Sequence, residues 1–160
     1  MNRLDPRAAT ATPIGVLYVN LGSPAAPTTA ALRVFLDEFL GDPMVVDLNR
    51  ALWFVIRKLI VLPLRAPKSA ALYRRIWTPE GSPLSVYSRR FAAGLARELG
   101  ERYQVELAMR YGSPSIAAGL AALARAGCTR VILFTAFPQQ SRATTGTVER
   151  EVERVLARLT

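Results

Sequence analysis

Residues 129–147, TRVILFTAFPQQSRATTGT, constrain the fold more than any other stretch of the sequence. Residues 131–137 are an unbroken apolar run rich in β-branched and aromatic side chains, the pattern of a strand covered on both faces. The run stops at Pro138, and a polar loop of Gln139, Gln140, Ser141 and Arg142 follows. Thr144, Thr145 and Gly146 then lead into Val148, Val152, Val155, Leu156 and Leu159, an apolar stripe of helical period. A buried strand thus hands over, through amides and hydroxyls, to a helix N-terminus. Open α/β sheets hold their ligands at such carboxyl ends of strands.

The arrangement occurs twice more. Residues 14–20 (IGVLYVN) read as a buried strand, turned at Leu21, Gly22, Ser23 and Pro24. Thr28 or Thr29 can cap a helix with Leu32, Phe35, Leu36, Phe39 and Leu40 on one face, and Gly41 is placed to end it as a C′ glycine. Residues 84–99 predict a helix with Tyr87, Phe91, Leu95 and Leu99 on one face and Gly100 behind it. Residues 104–109 (QVELAM) form the second strand, leading to Arg110, Tyr111, Gly112, Ser113 and Pro114. Residues 115–126 are a short Ala-rich helix with Ile116, Leu120 and Leu123 inward, closed by Gly127.

Between the first strand and the second helix-strand pair lies a long insertion, about residues 42–83, with no strand pattern. Residues 48–62 read as a helix with Trp53 and Phe54 near an apolar face, and Pro63 breaks the apolar stretch. Residues 64–83, LRAPKSAALYRRIWTPEGSP, are dense in cations and aromatics and hold Pro67, Pro79 and Pro83. An excursion of this length suits a lid or pocket wall. The order strand, insertion, helix, strand, helix, strand, helix predicts a parallel three-layer α/β unit with right-handed crossovers. Three strands make a small sheet, so the unit reads as the front part of something longer.

A chain of 160 residues is long enough for one such domain with its own core. The net charge is +9, almost all of it from arginine, since Lys58 and Lys68 are the only lysines. Arginine suits bidentate recognition of carboxylate or phosphate. No run of five like charges marks a nucleic-acid tail, and no nucleic-acid partner is expected. The one cysteine, Cys128, fits a small residue packed at a turn and a reducing compartment. Residues 1–12 are polar and unlike a secretory signal. Residues 48–64 are too interrupted by Arg50, Arg57 and Lys58 to span a membrane. They read as a helix packed within the protein, though the same cations also suit an anionic lipid surface.

Chemistry is restricted by what the sequence holds. With no histidine and one cysteine, a Ser-His or Cys-His nucleophile is excluded, and Asp37, Glu38, Asp42 and Asp47 lack metal-ligand spacing, so no metal site is expected. Neither GxGxxG nor GxxxxGK[ST] occurs. Gly-Ser-Pro appears three times, at 22–24, 81–83 and 112–114, as turn chemistry or as backbone and hydroxyls offered to a ligand. The remaining functional wall is Arg65, Lys68, Tyr73, Arg74, Arg75, Ser82, Arg110 and Tyr111. That mixture fits a large flat ligand with acidic edges.

VNLGSP at 19–24, RAPKSAALYRRI at 65–76, GSP at 81–83, MRYGSP at 109–114 and FPQQSRATTGT at 137–147 resemble, in order, the N-terminal half of ferrochelatase, from about Ile14 to Val152. The resemblance implies a chelatase-like fold of the Rossmann/flavodoxin-like kind, the first of two similar domains with a porphyrin cleft between them. It implies insertion of Fe²⁺ into protoporphyrin IX or coproporphyrin III, both metal and porphyrin being substrates, with no resident cofactor. Matched motif by motif, it places Arg65, Tyr73 and Ser82 on the porphyrin or its propionates, with Lys68 in the same segment and Leu21 beside the macrocycle. Leu36 and Phe39 match the apolar pocket lip, which in some members meets the membrane. Arg110 and Tyr111 match a pair on the pocket wall, and Gln139 and Ser141 match a loop near the pocket. Gln140 stands where the family usually has tyrosine, and Ala143 where Ser or Thr is common.

The family's metal-handling histidine and its partner glutamate belong to the second half, and nothing here matches them. The expectation is therefore a domain over residues 14–160, behind a flexible segment 1–13, that supplies porphyrin wall and propionate anchors, needs a missing C-terminal domain, and is inactive alone. The location expected is cytoplasmic, or peripheral at the inner face of the membrane. A non-catalytic tetrapyrrole-binding module and a small α/β domain for a phosphorylated ligand are the alternatives.

Overall fold

The computed structural model describes residues 12–158. Residues 1–11 of the expected flexible segment, and Leu159 of the last apolar stripe, lie outside them. In chain order the elements are β1 (Ile14–Asn20), α1 (Thr29–Gly41), α2 (Arg50–Ile56), α3 (Leu62–Ile76), α4 (Pro83–Leu99), β2 (Tyr103–Met109), α5 (Ile116–Arg125), β3 (Arg130–Thr135) and α6 (Thr147–Leu156). The strands form one parallel sheet in the order β2-β1-β3, with Leu17 opposite Glu106 and Leu133, and Tyr18 opposite Leu107 and Phe134.

Alternation along β1 sends its side chains to two different layers. Leu17 and Val19 join Ala108, Leu120, Leu123, Val148 and Val155 in the main core, so α5 and α6 share one face. Cys128 packs against this core at the turn before β3, as expected of a small apolar residue. Tyr18 points to the other face, where Phe91 of α4 meets its ring at 4.8 Å. Opposite faces for the two connections are what right-handed crossovers require when the second strand lies on one side of the first and the third on the other.

The strand at 130–135 is real, but it is not covered on both faces. Val131, Ile132 and Phe134 are 42, 50 and 39% exposed. Among the described residues it pairs only with β1, and α4 reaches it through Phe91 against Phe134 at a ring distance of 6.0 Å. The same geometry explains α4. Its buried residues are Val86 and Ser88, while Tyr87 and Phe91 of the expected apolar face lie exposed over the open side of the sheet.

The insertion is helical rather than irregular. Asn49 caps α2 by accepting from the Leu52 N–H at 3.1 Å. A π-helical turn, Arg57–Val61, then joins α2 to α3, which runs through both Pro63 and Pro67. Pro63 follows directly on the π turn, where the Leu62 N–H donates to the Arg57 carbonyl, so the α-type bonding that a proline interrupts has already given way to the wider winding. Packing holds α3 in place: Ala66 and Ala70 bury against Leu32 of α1. Trp53 turns inward and donates to the Leu40 carbonyl at 2.7 Å, whereas Phe54 is exposed beneath the Lys58 ammonium.

Thr28 caps α1, its hydroxyl accepting from the Ala31 N–H. Gly41 ends the helix differently from expectation: it is the last helical residue, and Asp42 follows as the C-cap. A Cβ at Gly41 would stand 2.0 Å from the Arg57 guanidinium, the end of a flexible side chain that would have to shift, and the backbone there is not left-handed.

Candidate functional site

The three Gly-Ser-Pro turns meet. Gly22-Ser23-Pro24 leaves the carboxyl end of β1, Gly112-Ser113-Pro114 follows β2, and Gly81-Ser82-Pro83 opens α4. Together they line a cavity of about 440 Å³ whose walls also include Phe35, Trp77, Ser85 and Arg89. That volume is within the usual range for a small-molecule site. Ser82 is 2% exposed and caps α4, its Oγ accepting from the Ser85 N–H at 3.2 Å. Ser23 Oγ lies 2.6 Å from Ser82 Oγ and 3.0 Å from Ser85 Oγ.

Two acids share the wall, and both are engaged. Glu38 accepts from the Gly112 N–H at 3.0 Å, and Glu80 pairs with Arg90 at 3.2 Å. Arg89 donates to the Glu80 carbonyl at 3.0 Å. Hydroxyls, the Arg89 guanidinium and the two carboxylates thus face the cavity beside apolar walls that include Val34, Phe35 and Trp77, with Ser82 at the amino end of a 17-residue helix.

Behind this wall lies a buried ion pair. Asp42 accepts at Oδ1 from the Met44 N–H at 2.8 Å, and at Oδ2 from Arg110 and from the Tyr111 hydroxyl, the latter at 3.0 Å. Arg110 also donates through Nε to the Thr147 carbonyl at 2.9 Å and lies 4.4 Å from the Tyr111 ring centroid. Asp42 at the end of α1 thus holds the turn after β2, and Arg110 of that turn in its own right reaches the start of α6. Tyr111 has no exposed surface, and burial pushes its phenol far above the ordinary tyrosine range, so it stays neutral and donates. Nearby, a hydrogen bond from Arg154 holds the Glu151 carboxyl below the usual range.

The other expected site residues are distributed around these two centres. Leu21 is half-buried, its carbonyl accepting from the Tyr111 N–H at 2.9 Å. Leu36 and Tyr73 pack against the α1–α3 contact, with Tyr73 edge-on to Trp77 of the cavity wall at 6.2 Å. Burial there raises the Tyr73 phenol. Phe39 sets its ring edge-on to Tyr111 at 5.2 Å. Arg65 and Lys68 are exposed on α3 and do not line the cavity. Gln139 and Ser141 belong to the loop before a second π-helical turn, Arg142–Gly146: Ser141 and Thr144 share a 2.8 Å hydroxyl contact, and Thr144 donates to the Gln139 carbonyl at 3.1 Å. Of the residues expected at the porphyrin, Ser82 is the one that lines the cavity. Asp42 and Ser85 carry no motif of their own, whereas the tripeptide repeat already pointed to Ser23 and Ser113. Among the described residues no three His, Cys, Asp or Glu side chains cluster as a metal site.

A parallel α/β sheet with a cavity of apolar and hydroxyl-bearing walls beyond the carboxyl ends of its strands belongs to the doubly wound class, in which ligands bind at that place. The family described as Ferrochelatase matches residues 13–160. Proteins named ferrochelatase from Thioalkalivibrio sulfidiphilus, Aeromonas hydrophila and Azoarcus are 50, 52 and 49% identical, over 91, 86 and 89% of this chain. The alignments cover 40, 43 and 40% of those relatives, so the chain spans about two-fifths of their length. The chain belongs to the ferrochelatase family.

Proposed function

We propose that this chain is one wall of the porphyrin pocket of a ferrochelatase that inserts Fe²⁺ into a free-base porphyrin in haem synthesis, and that it does not catalyse insertion by itself. The observation that supports this best is the convergence of three Gly-Ser-Pro turns, drawn from separate parts of the chain, on one cavity. In this reading Ser82, Arg65 and Lys68 hold propionates, Leu21 and Tyr73 border the macrocycle, and Leu36 and Phe39 shape the lip. Arg110 and Tyr111, with Gln139 and Ser141, complete the wall behind it. The reaction exchanges two pyrrole protons for one Fe²⁺, and so needs a base that works near neutral pH. Imidazole suits that task, and this chain contains none. We therefore assign the base to a further domain of the kind the relatives' greater length accommodates.

Titration of the purified chain with a dicarboxylic porphyrin, read in the Soret band, tests both parts. Saturable binding with no Fe²⁺ insertion is the expected outcome. Absence of any Soret change would remove the porphyrin reading, and metalloporphyrin formation would remove the claim of inactivity. Competition by phosphate with no porphyrin response would instead favour the phosphate-binding alternative. For that alternative a phosphate would sit at the helix N-terminus around Thr144 and Gly146, where the Thr144 hydroxyl already bonds Ser141 and the Gln139 carbonyl.

We further propose peripheral contact with an anionic membrane on its cytoplasmic side. Leu52, Val55, Leu59, Ile60 and Leu64 are each 50% exposed or more along α2, the π turn and α3, with Arg50 and Lys58 beside them in sequence. Among the described residues no helix is long and apolar enough to cross a bilayer. Flotation with vesicles containing anionic lipid should retain the protein, and double substitution L59E/I60E should release it. Equal behaviour of parent and variant would sink the proposal.

A further inference from the structure

A second cavity, of about 370 Å³, opens between α1 and the π turn that joins α2 to α3. Arg33, Val34 and Asp37 line it from α1, and Lys58, Leu62 and Pro63 from the turn and the start of α3. Asp37 is the one carboxylate of this lining, and it is already engaged. Lys58 Nζ lies 2.6 Å from its Oδ2, and Arg57 Nε lies 3.2 Å from its Oδ1. Arg33, exposed one helical turn earlier, makes no ion pair among the described residues. The lining thus carries two cations against one carboxylate, and Arg57 adds a third cation on that same carboxylate. Lys58 has three N–H donors and gives one of them to Asp37, so it keeps donors for a further oxygen.

The neighbours of these cations select the kind of anion. Val34 beside Arg33 is 71% exposed, and Leu59 and Ile60 beside Lys58 face solvent as well. A free anion would use the cations and leave these apolar side chains in water. An anionic phospholipid uses both, its phosphodiester meeting guanidinium and ammonium while its acyl chains cover the apolar rim. The volume is within the usual range for a small-molecule site.

We propose that this cavity seats the phosphodiester of an anionic phospholipid between Arg33 and Lys58, an assignment that rests on the membrane reading above. Val34, Leu59 and Ile60 then enter the acyl region beside the bound headgroup. Arg33 comes from α1 and Lys58 from the π turn, so the seat exists only where those elements meet. Val34 also lines the cavity of the Gly-Ser-Pro turns, so a lipid held here lies next to that cavity.

The test floats the purified chain with vesicles of phosphatidylcholine alone and with vesicles of phosphatidylcholine and phosphatidylglycerol in equal parts. The mixed vesicles should retain it about tenfold better or more, since each cation near an anionic surface contributes about fivefold. Arg33→Gln should lower retention by the mixed vesicles about fivefold and leave the neutral ones unchanged, and Arg33→Lys should keep most of the preference. Arg125→Gln removes the same charge from an exposed position on α5, outside the cavity, and should change retention little. Lys58→Gln gives a second reading if Arg33→Gln does not fold. Equal retention of the parent by both vesicles, or equal effects of Arg33→Gln and Arg125→Gln, would overturn the seat and leave membrane contact standing. Release by inorganic phosphate at constant ionic strength would assign the cavity to a free anion and overturn the seat as well. Retention by neither vesicle would remove the membrane reading, and this seat with it.

Discussion

Asp42→Ala should destabilise the chain by about 3–5 kcal/mol, the usual cost of breaking a buried ion pair from one side. Asp42 and Arg110 retain only 7 and 13% of their side-chain exposure. Without the carboxylate, the guanidinium stays buried with the Thr147 carbonyl as its remaining named acceptor, and the Tyr111 hydroxyl loses the oxygen it donates to. For a chain of this size the melting midpoint should fall by roughly 10 °C. Combining Asp42→Ala with Arg110→Ala should cost less than the two single changes added together, because the second removes the charge that the first strands. Thermal melts of the four proteins in this cycle provide the check, and a folded Asp42→Ala variant within about 1 kcal/mol of the parent would show that the pair does not hold these elements together.

Gly22→Ala should be as damaging, for a different reason. Gly22 has φ +102°, where a side chain is strained, and its Cβ would stand 1.8 Å from the Tyr111 carbonyl oxygen. That oxygen cannot easily withdraw, since the Tyr111 N–H is bonded to the Leu21 carbonyl at 2.9 Å. Gly81 supplies a control: its φ is +120°, yet a Cβ there meets no atom within 4 Å. Gly81→Ala should therefore cost about 1–3 kcal/mol of backbone strain, while Gly22→Ala should exceed about 4 kcal/mol or fail to yield folded protein. Denaturant midpoints of the two variants decide the matter. Equal stability would mean that the turn after β1 can move away from Tyr111.

Much of the framework was legible because its signals are local. The apolar runs marked all three strands, Ser115 and Gly127 bracketed α5, and Ile116, Leu120 and Leu123 turned inward as their spacing implied. Pro63, expected to break the apolar stretch, lies inside a continuous helix, where the π turn before it and burial of Ala66 and Ala70 against Leu32 outweigh local preference. Burial of β3 was over-read, since hydrophobicity reports what a strand can bury and not what lies beside it. In the candidate site, Ser82 was legible through its motif. Ser85 and Asp42 were not, because their roles depend on Ser23 and on Arg110 and Tyr111, residues far away in sequence. No window along the chain contains that information.

The π turn at Arg57–Val61 has a consequence for sequence variation. An α-helix turns by about 100° per residue and a π turn by less, so the length and winding of this turn together set the rotational phase of α3 relative to α2. Loss of one residue here would swing Leu62, Ala66 and Ala70 off α1 and carry Arg65 and Lys68 round the axis with them. Leu59 and Ile60 are 72 and 53% exposed, so the packing places little demand on their identity. Substitution within the turn should therefore be tolerated where insertion or deletion is not: this stretch works as a spacer of fixed length, and its contribution to the pocket is an angle.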